Sequence, residues 1–226
     1  MDIKVQIPTQ LNEITLKQYQ SYIGIVDQWR SIEDSGADNS DSEMFYLLKT
    51  LELFTGINYE DGLKLRITDV KKTVEKLEGL LTLKPDLVKT FKLGDTEFGF
   101  IPKLDDMTFG EYVDIDSSLG NWEEMHKCMA VLYRPIKKKV GDLYVIKDYK
   151  GDNYHEAMKV MPLDAVLSSL IFFYHLGIEL STGMTKYLES QMKSQGLNQD
   201  PTLHKNGVGI NRSIHLLKEM LQDMEI

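Results

Sequence analysis

Hydrophobic positions recur at helical spacing over most of this chain and alternate at strand spacing in a few short places. Ile3, Val5 and Ile7 alternate with Asp2, Lys4 and Gln6 and end at Pro8, which predicts an N-terminal strand. Thr15 and Gln18 stand at capping-box spacing before a helix running to about Trp29. The polar, acidic stretch SIEDSGADNSDS (31–42) predicts a flexible loop. Leu47, Leu48, Leu51 and Phe54 share one face of a helix over 42–54, which Gly56 ends. Val70, Val74, Leu77 and Leu81 mark another over 68–80.

The middle of the chain changes period. Phe91 and Leu93, then Phe98 and Phe100, alternate on two arms around Gly94-Asp95, the signature of a hairpin closed by Pro102. Thr108 with Glu111 opens a helix to Asp116. Asn121 with Glu124 opens the next, which carries Met125, Met129 and Leu132 and should stop before Pro135. A second hairpin is expected around Gly141-Asp142, with Leu143 and Val145 on its outgoing arm. A short helix over 153–159 leads to Pro162 and to a long apolar helix from Leu163, with a break or kink expected at Gly177. Residues 191–209 predict a polar loop, and Ile214, Leu217, Leu221 and Met224 form an apolar stripe on a closing helix. Two heptads are marginal as an independent coiled coil, so this helix should dock on a larger body, its own or another subunit's.

The fold class is therefore α+β and predominantly α-helical: a helical bundle with one or two β-hairpins and an N-terminal strand. Residues 1–226 read as one domain. A mild compositional shift allows a division into a helical part over 1–85 and an α+β part over 86–190, followed by the loop and docking helix of 191–226.

Composition narrows the function. At 42% hydrophobic and 27% charged residues, the chain needs neither metal nor disulfide to build a core. A net charge of −9 argues against binding nucleic acid through phosphate contacts. The single cysteine, Cys128, excludes an internal disulfide and points to a reducing compartment. No apolar signal core opens the sequence, so secretion by that route is not expected. The most apolar run, Ala165 to Leu180, falls short of the about 20 apolar residues a membrane span needs and reads as a buried helix.

Candidate chemistry is sparse. Asp105, Asp106, Glu111, Asp114 and Asp116 crowd one segment but lack the ligand order of a calcium loop. Glu111 fits a cap partner of Thr108, and Asp105 and Asp106 fit a helix N-terminus, where negative charge is favoured. The histidines, His126, His155, His175, His204 and His215, show no i, i+4 pair for zinc. Phosphate-binding glycine loops and the nucleophile elbow are absent. No cofactor or metal is expected. Lys137, Lys138 and Lys139 read as a solvated strand edge, or else as a surface for an acidic partner. The candidate interaction residues are thus Ile3, Val5 and Ile7, the three lysines, and Ile214, Leu217 and Leu221.

The segments EFGFIPKLDDMTFGEYVDID, LGNWEEMHKCMAVLYRPI and MPLDAVLSSLIFFYHLG, within residues 85–180, resemble a family of small tailed-bacteriophage morphogenesis proteins, of the kind found in crAss-like phages. The likeness lies in phrases such as TFGEYVDI and MAVLYRPI, and the family has no catalytic residues to carry over. It implies a non-enzymatic virion morphogenesis protein, assembled in the host cytoplasm and acting through contacts with other phage structural proteins. The expected form is a homo-oligomeric, multi-copy subunit of the head–tail neck or tail. The alternative within the class is a transient tail-assembly chaperone that binds the tape-measure protein. The competitor from another class is a small metal-dependent enzyme using the carboxylates of Asp105 to Asp116.

Overall fold

The first eight residues of the long apolar helix explain the rest of the architecture. Leu163, Ala165, Val166, Leu167 and Leu170 are fully buried, with Ser168 and Ser169 beside them. A helix that is apolar on nearly every side needs partners on every side. This computed structural model describes residues 6–34, 39–151, 153–195 and 208–223, and it supplies those partners from both ends of the chain.

Nine helices and one antiparallel sheet appear among the described residues: α1 (Leu16–Asp34), α2 (Asn39–Thr55), α3 (Tyr59–Gly62), α4 (Ile67–Leu81), β1 (Thr90–Leu93), β2 (Thr96–Phe100), α5 (Phe109–Ser118), α6 (Met125–Leu132), β3 (Tyr133–Val140), β4 (Leu143–Ile146), α7 (His155–Met158), α8 (Leu163–Gln195) and α9 (Val208–Asp223). The predominantly helical α+β class read from the sequence is the class observed. The sheet order is β1-β2-β3-β4, two hairpins joined by the β2–β3 pairing.

Helices α1, α2 and α4 pack together, with Leu48, Leu51 and Val70 forming a small core of their own. Tyr46 links all three: its hydroxyl lies 2.9 Å from that of Tyr22 on α1 and donates to Glu78 on α4. The larger core crosses residue 85. It draws Leu16, Tyr19, Phe54, Leu77 and Leu81 together with Phe91, Phe98, Phe100, most of α6, and the start of α8. The backbone joins the same regions: Leu16 N–H donates to Met161 at 3.0 Å, and Leu163 N–H donates to Ile14 at 2.8 Å.

Tyr133 holds the centre. It is fully buried at the junction of α6 and β3, and its hydroxyl donates to the carbonyls of Val88 (2.8 Å) and Ala165 (3.1 Å). Burial pushes its phenol well above the usual range, so it stays a neutral donor.

Several expectations need correction. The N-terminal strand falls mostly outside the described residues, and Gln6 to Pro8 run as irregular chain with Ile7 exposed. The 31–42 loop contracts: α1 runs on through Asp34 and α2 starts at Asn39. Helix α6 does stop before Pro135, at Leu132, but the chain turns directly into a strand there, and Pro135 lies inside β3 opposite Phe98. Helix α8 runs unbroken through Gly177. A Cβ there would sit 2.7 Å from Ile214, so the glycine is a notch for α9 and not a break. Part of the 191–209 stretch expected as loop is helical, because α8 reaches Gln195 and α9 begins at Val208; the residues between lie outside those described.

Candidate functional site

The two hairpins have the same turn chemistry, Gly94-Asp95 and Gly141-Asp142, and both glycines adopt the positive φ the turns require. Their faces differ. On β1–β2, Phe91 pairs across from Phe98 and both are buried, stacked at 5.7 Å with Tyr133 against Phe91. On β4, Tyr144 and Ile146 turn inward while Leu143 and Val145 point out, the usual alternation of a strand. The register sets Val140 opposite Leu143 and Lys138 opposite Val145. Lys138, Val140, Leu143 and Val145 therefore share the outer face, and Lys147 continues that row. Leu143 is 80% exposed.

The inner face locks the hairpin down. The Tyr144 hydroxyl donates to the Phe100 carbonyl at 2.8 Å, which lays the ring across β2 at Gly99. A Cβ on Gly99 would meet that ring at 2.5 Å, so this crossing needs glycine. Lys139 binds Glu97, and Lys137 reaches Asp148 at 3.0 Å. The lysine run was expected at a sheet edge. It lies on the outer half of β3, which pairs with β4 only, since β2 meets β3 no further than Pro135; that side of the run is a solvated edge although β1 and β4 are the outer strands of the sheet. Two of its lysines are held in intramolecular pairs, and Lys138 joins none among the described residues.

The acidic segment resolves into separate roles. Thr108 caps α5, and Glu111 completes the capping box, accepting from the Thr108 N–H at 2.6 Å. The other Glu111 oxygen accepts from Arg134 of β3 at 2.7 Å, and both side chains are buried. Nothing in the sequence paired these two residues. This ion pair ties α5 to the sheet, and truncating one partner would strand the other charge in a dry site. Asp114 accepts from the Tyr149 hydroxyl at 2.8 Å, which fixes the end of the β4 arm against α5. Asp106 is exposed, and only the backbone of Asp105 is described.

With Glu111 and Ser118 turned inward, the opposite stripe of α5 carries Phe109, Tyr112, Val113 and Asp116. Phe109 is 82% exposed, and Tyr112 and Val113 are about half exposed. A third apolar area lies among the N-terminal helices. Met44, Leu47, Leu63, Leu65 and Ile67 line a groove of about 340 Å³ between α2, α3 and α4, with the Lys71–Glu43 pair at 2.6 Å across its mouth.

His126 and His155 meet edge to face at the contact of α6 and α7, 6.5 Å between ring centres. His126 Nδ1 and His155 Nε2 are buried without hydrogen-bond partners. Burial, and then the positive charge of Lys159, hold the His126 imidazole below its usual value, so the ring is neutral in the fold. Among the described residues no three His, Cys, Asp or Glu side chains gather as a metal-binding group. The Cys128 thiol is pushed up to about 12 by complete burial, so it is protonated and inert at neutral pH.

The remaining predicted interaction residues fall into two groups. Ile3 and Val5 lie outside the described residues, as does the side chain of His204. Leu217 and Leu221 are buried, with Met220, where α9 packs on α8, and Ile214 enters the Gly177 notch. That stripe is used inside its own chain. Sequence reasoning missed the outward stripe of α5 and the outer row of β4. The signal was present: Phe109, Tyr112 and Val113 sit at i, i+3 and i+4, and Leu143 and Val145 at i, i+2.

Among the described residues no helix is long and apolar enough to cross a membrane. Comparison with protein-family models finds no match, and comparison with the curated proteins and with the solved structures likewise finds no significant relative.

Proposed function

We propose that this chain is a non-enzymatic virion morphogenesis protein of a tailed bacteriophage, a multi-copy structural subunit of the head–tail neck or tail that works through protein–protein contacts. The observation that supports this reading is the distribution of exposed apolar side chains. Phe109 on α5, Leu143 on β4 and Ile67 beside the α2–α4 groove are each more than 60% exposed, in three separate places. Apolar patches on a soluble fold mark surfaces that meet other macromolecules. The Phe91 to Ile136 segment, where the phage resemblance is densest, supplies the first of them.

The test is mass spectrometry of purified particles of the phage that encodes the chain. The structural reading expects the protein in mature particles in several copies. Its absence from particles, combined with capture on the tape-measure protein during assembly, would replace this reading with that of a transient chaperone.

A further inference from the structure

We propose that the outward stripe of α5 in one copy of this chain receives the outer face of the β3–β4 hairpin of a second copy. The inference rests on the multi-copy reading above and gives it a contact. The two surfaces are both apolar at their centres and oppose in charge. The α5 stripe presents Phe109, Tyr112 and Val113, with Asp116 among them and Asp106 at the helix start. The hairpin presents Val140, Leu143 and Val145, flanked by Lys138 and Lys147.

The surroundings amplify the match. Leaving out Glu111, which is buried against Arg134, residues 103–124 hold six carboxylates against one lysine, whereas 137–150 hold five lysines against two aspartates. The chain as a whole is acidic at −9, so a concentrated basic hairpin on it stands out from its own background. Within one copy the two faces do not cover each other, since Phe109 and Leu143 are each at least 80% exposed. The Tyr149–Asp114 hydrogen bond and the Glu111–Arg134 pair fix hairpin and helix in that splayed arrangement. Lys138 and Lys147 join no ion pair among the described residues and remain available to an acidic surface. A contact between unlike patches closes as a twofold pair, each copy giving and receiving, or as a ring.

The experiment is light scattering and sedimentation of the full chain over a concentration series, with two charge-reversed variants. K138E/K147E turns the hairpin face acidic, and D106K/D116K turns the α5 face basic. Wild-type chain should associate, and 0.5 M salt should weaken that association. Each variant alone should lose roughly tenfold or more in self-affinity, because like charges then face each other. Mixed in equal amounts, the two should associate with each other and regain most of the loss, with melting temperatures near wild type throughout. A wild-type chain that stays monomeric, or an association that neither variant changes, or a mixture that does not recover, would overturn the proposal. Absence from virions with this association intact would overturn the subunit reading and leave the contact standing.

Discussion

The two hairpins are built from the same local signals and end in opposite surroundings. Each has a Gly-Asp turn, short alternating arms and a place in one four-stranded sheet. In β1–β2 the large residues face α6 and α8 and disappear into the core, where Phe98 and Phe100 are 3% and 4% exposed. In β3–β4 the inner residues Tyr144 and Ile146 anchor the arm, and the aliphatic outer row stays in water. Turn chemistry decides that a hairpin forms. What lies over each face decides whether it stabilises the monomer or stays in water.

This contrast can be broken most severely from the inside. Phe100→Ala should destabilise the fold by about 3–5 kcal/mol, read as a shifted denaturant midpoint with unchanged slope, because its ring packs against Tyr133, Phe172 and Phe173. Glu111→Ala should lose about 3 kcal/mol by the same readout, since it leaves Arg134 buried without its partner; replacing both residues with apolar ones should recover most of that loss. Gly99→Ala sits where the hairpins cross and should lose about 1–3 kcal/mol, because the Tyr144 ring is held in place by its own hydroxyl. Adding Tyr144→Leu in a double-mutant cycle should restore part of it.

A smaller effect should appear with pH. The neutral, buried His126 takes up a proton more readily once the chain unfolds, so stability is fully present above the ordinary imidazole value of 6.5. It should fall as pH drops below that value toward the depressed folded one. His126→Gln should flatten the difference between denaturant midpoints measured at pH 7.5 and pH 5.5. Leu143→Ser should be the mildest change, within about 0.5 kcal/mol of wild type in monomer stability, since its side chain touches little in its own chain.

Much of the local structure was legible in the sequence. Both capping boxes, Thr15 with Gln18 and Thr108 with Glu111, form as spaced. Both turns fall on their Gly-Asp pairs, and α8 begins at Leu163. What escaped was tertiary. Gly177 read as a helix breaker because nothing local announces that Ile214 will fill its notch. Pro135 read only as a helix stop, because its place in a strand opposite Phe98 depends on the neighbouring strand. Glu111 showed its cap role, which is encoded three residues away, but not its ion pair with Arg134, which the fold alone brings near. The lysine run read as a solvated edge, and it is one on the side that β2 does not reach, but its place inside a four-stranded order is invisible in alternation. The outward stripes were missed for the same reason: periodicity shows that a face is apolar, and only packing shows whether it is covered.

The most direct test of the central claim, that β1–β2 serves the monomer while β3–β4 and α5 serve a second copy, is hydrogen exchange of the full chain at low and high protein concentration. The account predicts that amides of Leu143–Ile146 and Phe109–Ser118 gain protection as concentration rises, while those of Thr96–Phe100 are equally slow throughout. Unchanged exchange in β4 and α5 across the concentration range would contradict it.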